Sequence, residues 1–198
     1  MTVRTSRLLL ALGAFVAGLV LFSAVIFIVT GRSPAPIAMT SAVGGPFKLV
    51  DQNAKPITDQ DFKGQPFLVF FGFTHCPDVC PTTLFEVSEI FRALGPDAKG
   101  LRAMFVTVDP ERDTPAVMKD YLASFDPRII GVTGDDAAIA AAEKSYRVYA
   151  KKVPTDGGGY TMDHTAIVYL MSKDGRFVAP FNMKRRPEEA AAELKRYL

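Results

Sequence analysis

The side chains best suited to chemistry in this chain are Cys76 and Cys80, its only two cysteines, and His164, one of its two histidines. The cysteines stand four apart in Phe71-Gly72-Phe73-Thr74-His75-Cys76-Pro77-Asp78-Val79-Cys80-Pro81. On a regular helix, positions i and i+4 share one face about 6 Å apart, within the reach of a disulfide. Pro81 would clash with the carbonyl of Pro77 in a continuous helix. Cys76 is therefore expected in a strand-to-helix loop and Cys80 close to the helix start, where unpaired N–H groups favour a thiolate. Such a pair can be a structural disulfide, a thiol–disulfide exchange pair or a soft metal site. A disulfide here would close a very short loop, so its entropic contribution would be small.

His164 lies in Tyr160-Thr161-Met162-Asp163-His164-Thr165, directly before an apolar run. Alone, it reads as a partly exposed structural residue at a strand end. Joined to the cysteines, it completes a set of two thiolates and one imidazole, suited to Cu(I) and able to hold Cu(II). Structural zinc usually takes four such ligands, and the chain offers no convincing fourth. Asp163 would orient the imidazole from behind or cap a turn. His75, next to Cys76, is expected to point away from any site its neighbour faces. Asp109 to Pro115 (DPERDTP) reads as a turn followed by a helix cap from Asp113 or Thr114.

Bringing these residues together requires a fold that delivers the cysteines at a strand end. Pro66 to Phe73 is nearly continuous apolar sequence, as for a strand buried on both faces. Thr82 to Leu94 has helical spacing, and Leu101 to Val108 is a second buried strand. A helix from Pro115 to Phe125, a strand at Ile129 to Val132 and an alanine-rich helix from Asp135 to Tyr146 follow. Arg147 to Val153 and Thr165 to Met171 read as strands around Gly157-Gly158-Gly159. Lys173-Asp174-Gly175 turns into Arg176 to Ala179, and Arg186 to Leu198 closes the chain as a helix. The expected class is α/β, with a thioredoxin-like mixed central sheet and helices on both faces.

Composition narrows the function. The chain has 198 residues with 23 basic and 21 acidic side chains, a formal charge of +2. Two cysteines exclude a disulfide-stapled miniprotein or a four-cysteine zinc module. From Leu8 to Val29 only Gly13, Gly18 and Ser23 are not strongly apolar, and about 20 such residues can span a bilayer as a helix. No A-x-A cleavage pattern follows the run, which favours a retained anchor over a signal peptide. Arg4 and Arg7 precede it, so the amino terminus is expected in the cytoplasm and the rest outside. With those two arginines set aside, residues 31–198 carry 21 basic and 21 acidic groups, and a nucleic-acid partner is not expected. The expected organisation is a cytoplasmic stub at 1–7, a transmembrane anchor at 8–29, a flexible linker at 30–46 and the folded domain at 47–198. The expected address is a bacterial cytoplasmic membrane with the domain in the periplasm.

Four segments carry a resemblance. FTHCPDVCP at 73–81, VTVDPERDTP at 106–115, FDPRIIGVTG at 125–134 and DHTAIVYL at 163–170 together resemble the Sco/SenC family. Its members are membrane-anchored, thioredoxin-fold copper proteins that help assemble the copper A centre of cytochrome c oxidase. The resemblance implies one copper per chain, as Cu(I) or Cu(II), held by Cys76, Cys80 and His164. It implies cytochrome c oxidase subunit II as recipient, an upstream copper donor protein and a thiol reductant as partners. Many members carry an acid four positions before the Asp of the Asp-His pair, where this chain has Gly159. A metal-transfer protein rather than an enzyme is the favoured reading. The alternatives are a thiol–disulfide oxidoreductase using Cys76 and Cys80 as its redox pair, and a redox or copper sensor.

Overall fold

A computed structural model describes residues 13–25, 43–98 and 100–198. The chain divides into two compact units, Met1–Met39 and Thr40–Leu198. In the first, residues 13–25 are helical (α1), with Phe15, Val20, Leu21 and Phe22 exposed. Among the described residues no helix is long and apolar enough to cross a membrane. The remainder of the expected 8–29 span, the stub at 1–7 and most of the 30–46 linker lie outside them.

The second unit is built on a seven-stranded mixed sheet. Its strands are β1 (Lys48–Asp51), β2 (Pro56–Thr58), β3 (Phe67–Gly72), β4 (Arg102–Thr107), β5 (Ile129–Thr133), β8 (Val168–Met171) and β9 (Phe177–Pro180), in the order β2-β1-β5-β4-β3-β8-β9. β3, β4 and β5 run parallel, with Phe70 beside Phe105 and Phe105 beside Gly131; β8 pairs antiparallel with β3. Every residue of β3 is buried, because a central parallel strand is covered on both faces. A separate antiparallel pair, β6 (Ala150–Pro154) and β7 (Tyr160–His164), makes its own two-stranded sheet.

Crossovers between parallel strands are right-handed, so α2 (Val79–Leu94) and α3 (Pro115–Leu122) cover the same face. Phe105 shows this, stacking on Phe70 beside it and on Tyr121 of α3. The last helix, α5 (Pro187–Leu194), packs against α2. α4 (Asp136–Tyr146) lies on the other face, where Tyr146 meets Phe71 with ring centroids 5.4 Å apart. Helices on both faces of a mixed sheet make the thioredoxin-like α/β class that the sequence pattern predicts.

Two elements depart from expectation. α2 begins at Val79, three residues early, because Pro81 falls third in the helix, where its missing N–H has no intrahelical partner to lose. The strand expected over Thr165 to Met171 starts three residues late, and a strand not expected from the sequence, β7, precedes it. β7 ends at His164, and β8 begins only at Val168.

Candidate metal centre

The sheet ends β3 at Gly72, and the chain turns out through Phe73 to Asp78 before entering α2. Cys76 lies in this loop, half-buried, and Cys80 is the second helical residue, fully buried. The Cys76 N–H donates to the Phe73 carbonyl at 3.3 Å, closing the turn. The first N–H groups of any helix need outside acceptors. Here the Cys80 N–H donates to Cys76 Sγ at 3.3 Å, while Asp78 in the cap position makes no capping bond. Gly72 makes room for this packing: a Cβ there would sit 2.8 Å from Cys80 Sγ and 2.7 Å from the Phe105 ring.

Burial pushes the Cys80 thiol well above its ordinary pKa, with the neighbouring Cys76 adding to the rise. The thiolate expected at the helix start is therefore not favoured at Cys80. Desolvation of a buried sulfur outweighs the helix terminus, so the thiol keeps its proton.

The loop is pinned from the segment between β4 and α3 by Asp113, a buried carboxylate. Its Oδ2 accepts from the Thr74 N–H at 3.0 Å and the Thr107 hydroxyl at 2.7 Å, and its Oδ1 accepts from the Thr74 hydroxyl at 2.6 Å. The sequence offers Asp113 or Thr114 as the helix cap. The cap is Thr114, which accepts from the Val117 N–H at 3.4 Å. His75 is exposed and turns Nδ1 toward the Thr74 hydroxyl at 3.1 Å.

His164, the last residue of β7, reaches the buried cysteine across 84 positions of sequence, with Nε2 3.8 Å from Cys80 Sγ. Its Nδ1 lies 3.2 Å from the Thr165 carbonyl. A carbonyl only accepts, so Nδ1 carries the proton and Nε2 offers its lone pair toward the sulfur. Burial lowers the imidazole pKa, partly opposed by the Thr165 carbonyl and the charge of Asp163, and so favours the neutral ring that a metal requires. Asp163 itself is exposed and makes no hydrogen bond to the ring; the backbone of Thr165 takes the orienting role expected of it. Edge-on contacts with Phe73 (centroids 5.7 Å, 88°) and Phe70 (6.4 Å, 62°) wall the imidazole in. Phe73 and Phe70 read in sequence only as strand residues.

Sequence reasoning also passed over Tyr121. Its ring stacks on Phe105 at 6.0 Å, and its buried hydroxyl has no hydrogen-bond partner. Burial, then Cys80, Cys76 and Asp113, raise its pKa.

Both cysteines are free thiols. Cys80 and His164 face each other, while Cys76 Sγ is taken up by the Cys80 N–H. Among the described residues, no three His, Cys, Asp or Glu side chains stand in an arrangement that would hold a metal ion without adjustment. The donors are two sulfurs and one neutral imidazole, a soft set.

A family model for SCO1/SenC matches residues 36–198. The chain belongs to the SCO1/SenC family. Among solved structures, it is similar to ScoI of Bradyrhizobium japonicum with copper bound, at 67% identity and a TM-score of 0.76, covering 79% of this chain and 99% of that one. It is also similar to yeast Sco1 with copper bound, at 35% identity and a TM-score of 0.69, covering 79% of this chain and 90% of that one. The mitochondrial SCO2 homolog of Mus musculus is 40% identical over 162 residues, which are 80% of this chain and 64% of the mouse protein. The chain thus spans slightly less than two-thirds of the length of that SCO1/SenC relative.

Proposed function

We propose that this chain binds one copper ion through Cys76, Cys80 and His164 and passes it on during assembly of cytochrome c oxidase. The observation that carries the reading is the approach of His164 Nε2, with its lone pair free, to within 3.8 Å of the buried Cys80 sulfur. The copper-bound relatives support it.

Copper is the cargo, and the chemistry is ligand exchange. Cys80 holds its proton while its sulfur is buried; copper takes the proton's place, so loading releases protons. Cys76 is the more exposed sulfur and the natural point of entry and exit. To ligate, it gives up the N–H of Cys80. Three ligands on a soft ion leave room for an incoming thiolate to begin transfer. The proposed recipient is cytochrome c oxidase subunit II. The proposed suppliers are an upstream copper donor protein and a thiol reductant that keeps both cysteines reduced. We further read residues 8–29 as a transmembrane anchor, with the amino terminus in the cytoplasm and the domain in the periplasm of a bacterium. The support is the apolar run and the arginines before it.

The pair also favours a second reading, because one sulfur is accessible and the other protected. Cys76 would attack a target disulfide and Cys80 would resolve the mixed disulfide. The target leaves as a dithiol, and a thiol reductant restores the Cys76–Cys80 pair.

Competition titration of the reduced full-length chain with a Cu(I) chelator separates the two. One Cu(I) per chain is expected, with large losses of affinity in Cys76→Ser, Cys80→Ser and His164→Ala. If His164→Ala binds as tightly as the parent, the three-ligand reading fails and the dithiol reading stands.

A further inference from the structure

Of the three carboxylates in the segment between β4 and α3, Asp109 and Asp113 are wholly buried. A surface turn and a helix cap need neither of them out of water, and a buried carboxylate persists only when its oxygens are satisfied. Asp113 spends its bonds on Thr74 and Thr107, toward the cysteine loop. Asp109 spends its bonds in the opposite direction. Its Oδ1 accepts from the Tyr160 hydroxyl at 2.9 Å, and its Oδ2 accepts from Arg112 Nε.

Arg112 completes the connection. Its Nη1 donates to the Tyr160 carbonyl at 3.0 Å, and its guanidinium lies over the Tyr160 ring at 3.9 Å. It also lies 5.9 Å from the centre of the Phe73 ring, which in turn meets His164 edge-on. The remaining nitrogen, Nη2, is buried without a partner, so the side chain keeps this pose at the expense of one donor. At the surface Glu111 pairs with Lys152 of β6. Tyr160 is the first residue of β7 and His164 the last. Their sheet has no strand pairing with the main one, so side chains must hold it in place.

We propose that Asp109, Arg112 and Tyr160 are positioning residues that set where His164 stands relative to Cys80, and that Asp113 fixes the cysteine loop to the same short segment. One stretch of five residues then registers both halves of the site, which explains a motif the ligands themselves leave unused. The consequence for copper rests on the proposed function; the consequence for the hairpin does not.

The test compares the full-length parent, Tyr160→Phe, Asp109→Asn and His164→Ala by four measurements. Tyr160→Phe keeps the ring under Arg112 and removes only the hydroxyl. It is expected to weaken Cu(I) binding about tenfold, the effect of losing a residue that orients a ligand, with a fall in Tm too small to match that loss. The imidazole hyperfine signature of the Cu(II)-loaded chain should change as well. In the copper-free chain, hydrogen exchange at the Thr165 amide, which donates to the Tyr149 carbonyl at 3.0 Å, should quicken about fivefold, as for one lost hydrogen bond. Asp109→Asn should show the same changes, at least as large. Unchanged affinity in Tyr160→Phe, while His164→Ala loses copper, overturns the proposal. So does a fall in Tm that matches the loss of affinity, which would mark a structural role only. If His164→Ala binds copper normally, the copper reading falls by itself, and Thr165 exchange alone decides whether the clamp exists.

Discussion

The loop carrying the two cysteines and the hairpin carrying His164 are held in different ways. The loop leaves the most buried strand of the main sheet, packs Cys80 against Gly72 and Phe105, and is tied by two hydrogen bonds from Thr74 to the buried Asp113, which Thr107 of β4 also holds. The hairpin is a sheet of its own, in which every residue of β6 and β7 is half-buried or exposed. It meets the site through ring edges and the Asp109–Arg112–Tyr160 contacts. The difference teaches that the sulfur half of this site is part of the folding core, whereas the imidazole half is docked onto it. Damage to the first should appear as lost stability; damage to the second should appear as altered ligand geometry in a protein that still folds.

The sharpest break of that contrast is Asp113→Ala. It strands the Thr74 amide and two hydroxyls in a buried site, and should cost about 2–4 kcal/mol. Urea denaturation measures this, and a loss below about 1 kcal/mol would show that the cysteine loop does not depend on the core. Gly72→Ala comes next, at about 1–3 kcal/mol, because the added methyl must displace either the Phe105 ring or the Cys80 sulfur. Its thermal melt should fall further than that of Tyr160→Phe.

A pH effect sharpens the other side. Glu143 of α4 lines a cleft with Asp136, Lys151, Lys152 and Met162 under the hairpin, and burial raises its pKa from 4.5 to about 7. A raised carboxylate pKa means that the folded state binds the proton more tightly than the unfolded chain does. The benefit is complete below pH 4.5 and is lost as pH rises through about 7. Glu143→Gln should therefore match the parent in acid and exceed it at pH 8 by on the order of 1–2 kcal/mol, after allowance for solvent screening. Equal melts at pH 8 would refute this. Lys152→Ala should do least. Its ion pair with Glu111 is at the surface, and no measurable change in Tm is expected.

The cysteine half was legible in sequence because its signals are local. An apolar run of eight residues gave the strand within one residue at each end, and Pro77 and Pro81 put Cys76 in the loop and Cys80 at the helix start. The hairpin was harder to read. Tyr160 to His164 alternates weakly, since its faces are neither fully buried nor fully exposed. The apolar Ala166, Ile167 and Val168 invited a strand that began too early. Asp109 and Asp113 were read as turn and cap residues, because the same residue types serve those roles whenever the chain stays in water. Only their burial distinguishes them.

By itself the sequence determined which donors exist and how the strands and helices alternate to carry them. Those follow from residue type, from periods of two and 3.6, and from proline's fixed geometry. Tertiary structure decided the rest, because it depends on desolvation and on contacts between distant segments. It brought His164 to 3.8 Å from Cys80, kept the Cys80 proton in place, and gave the ring's Nδ1 to Thr165 instead of Asp163. It also turned a segment that reads as a turn and a helix cap into the piece that touches both halves of the site.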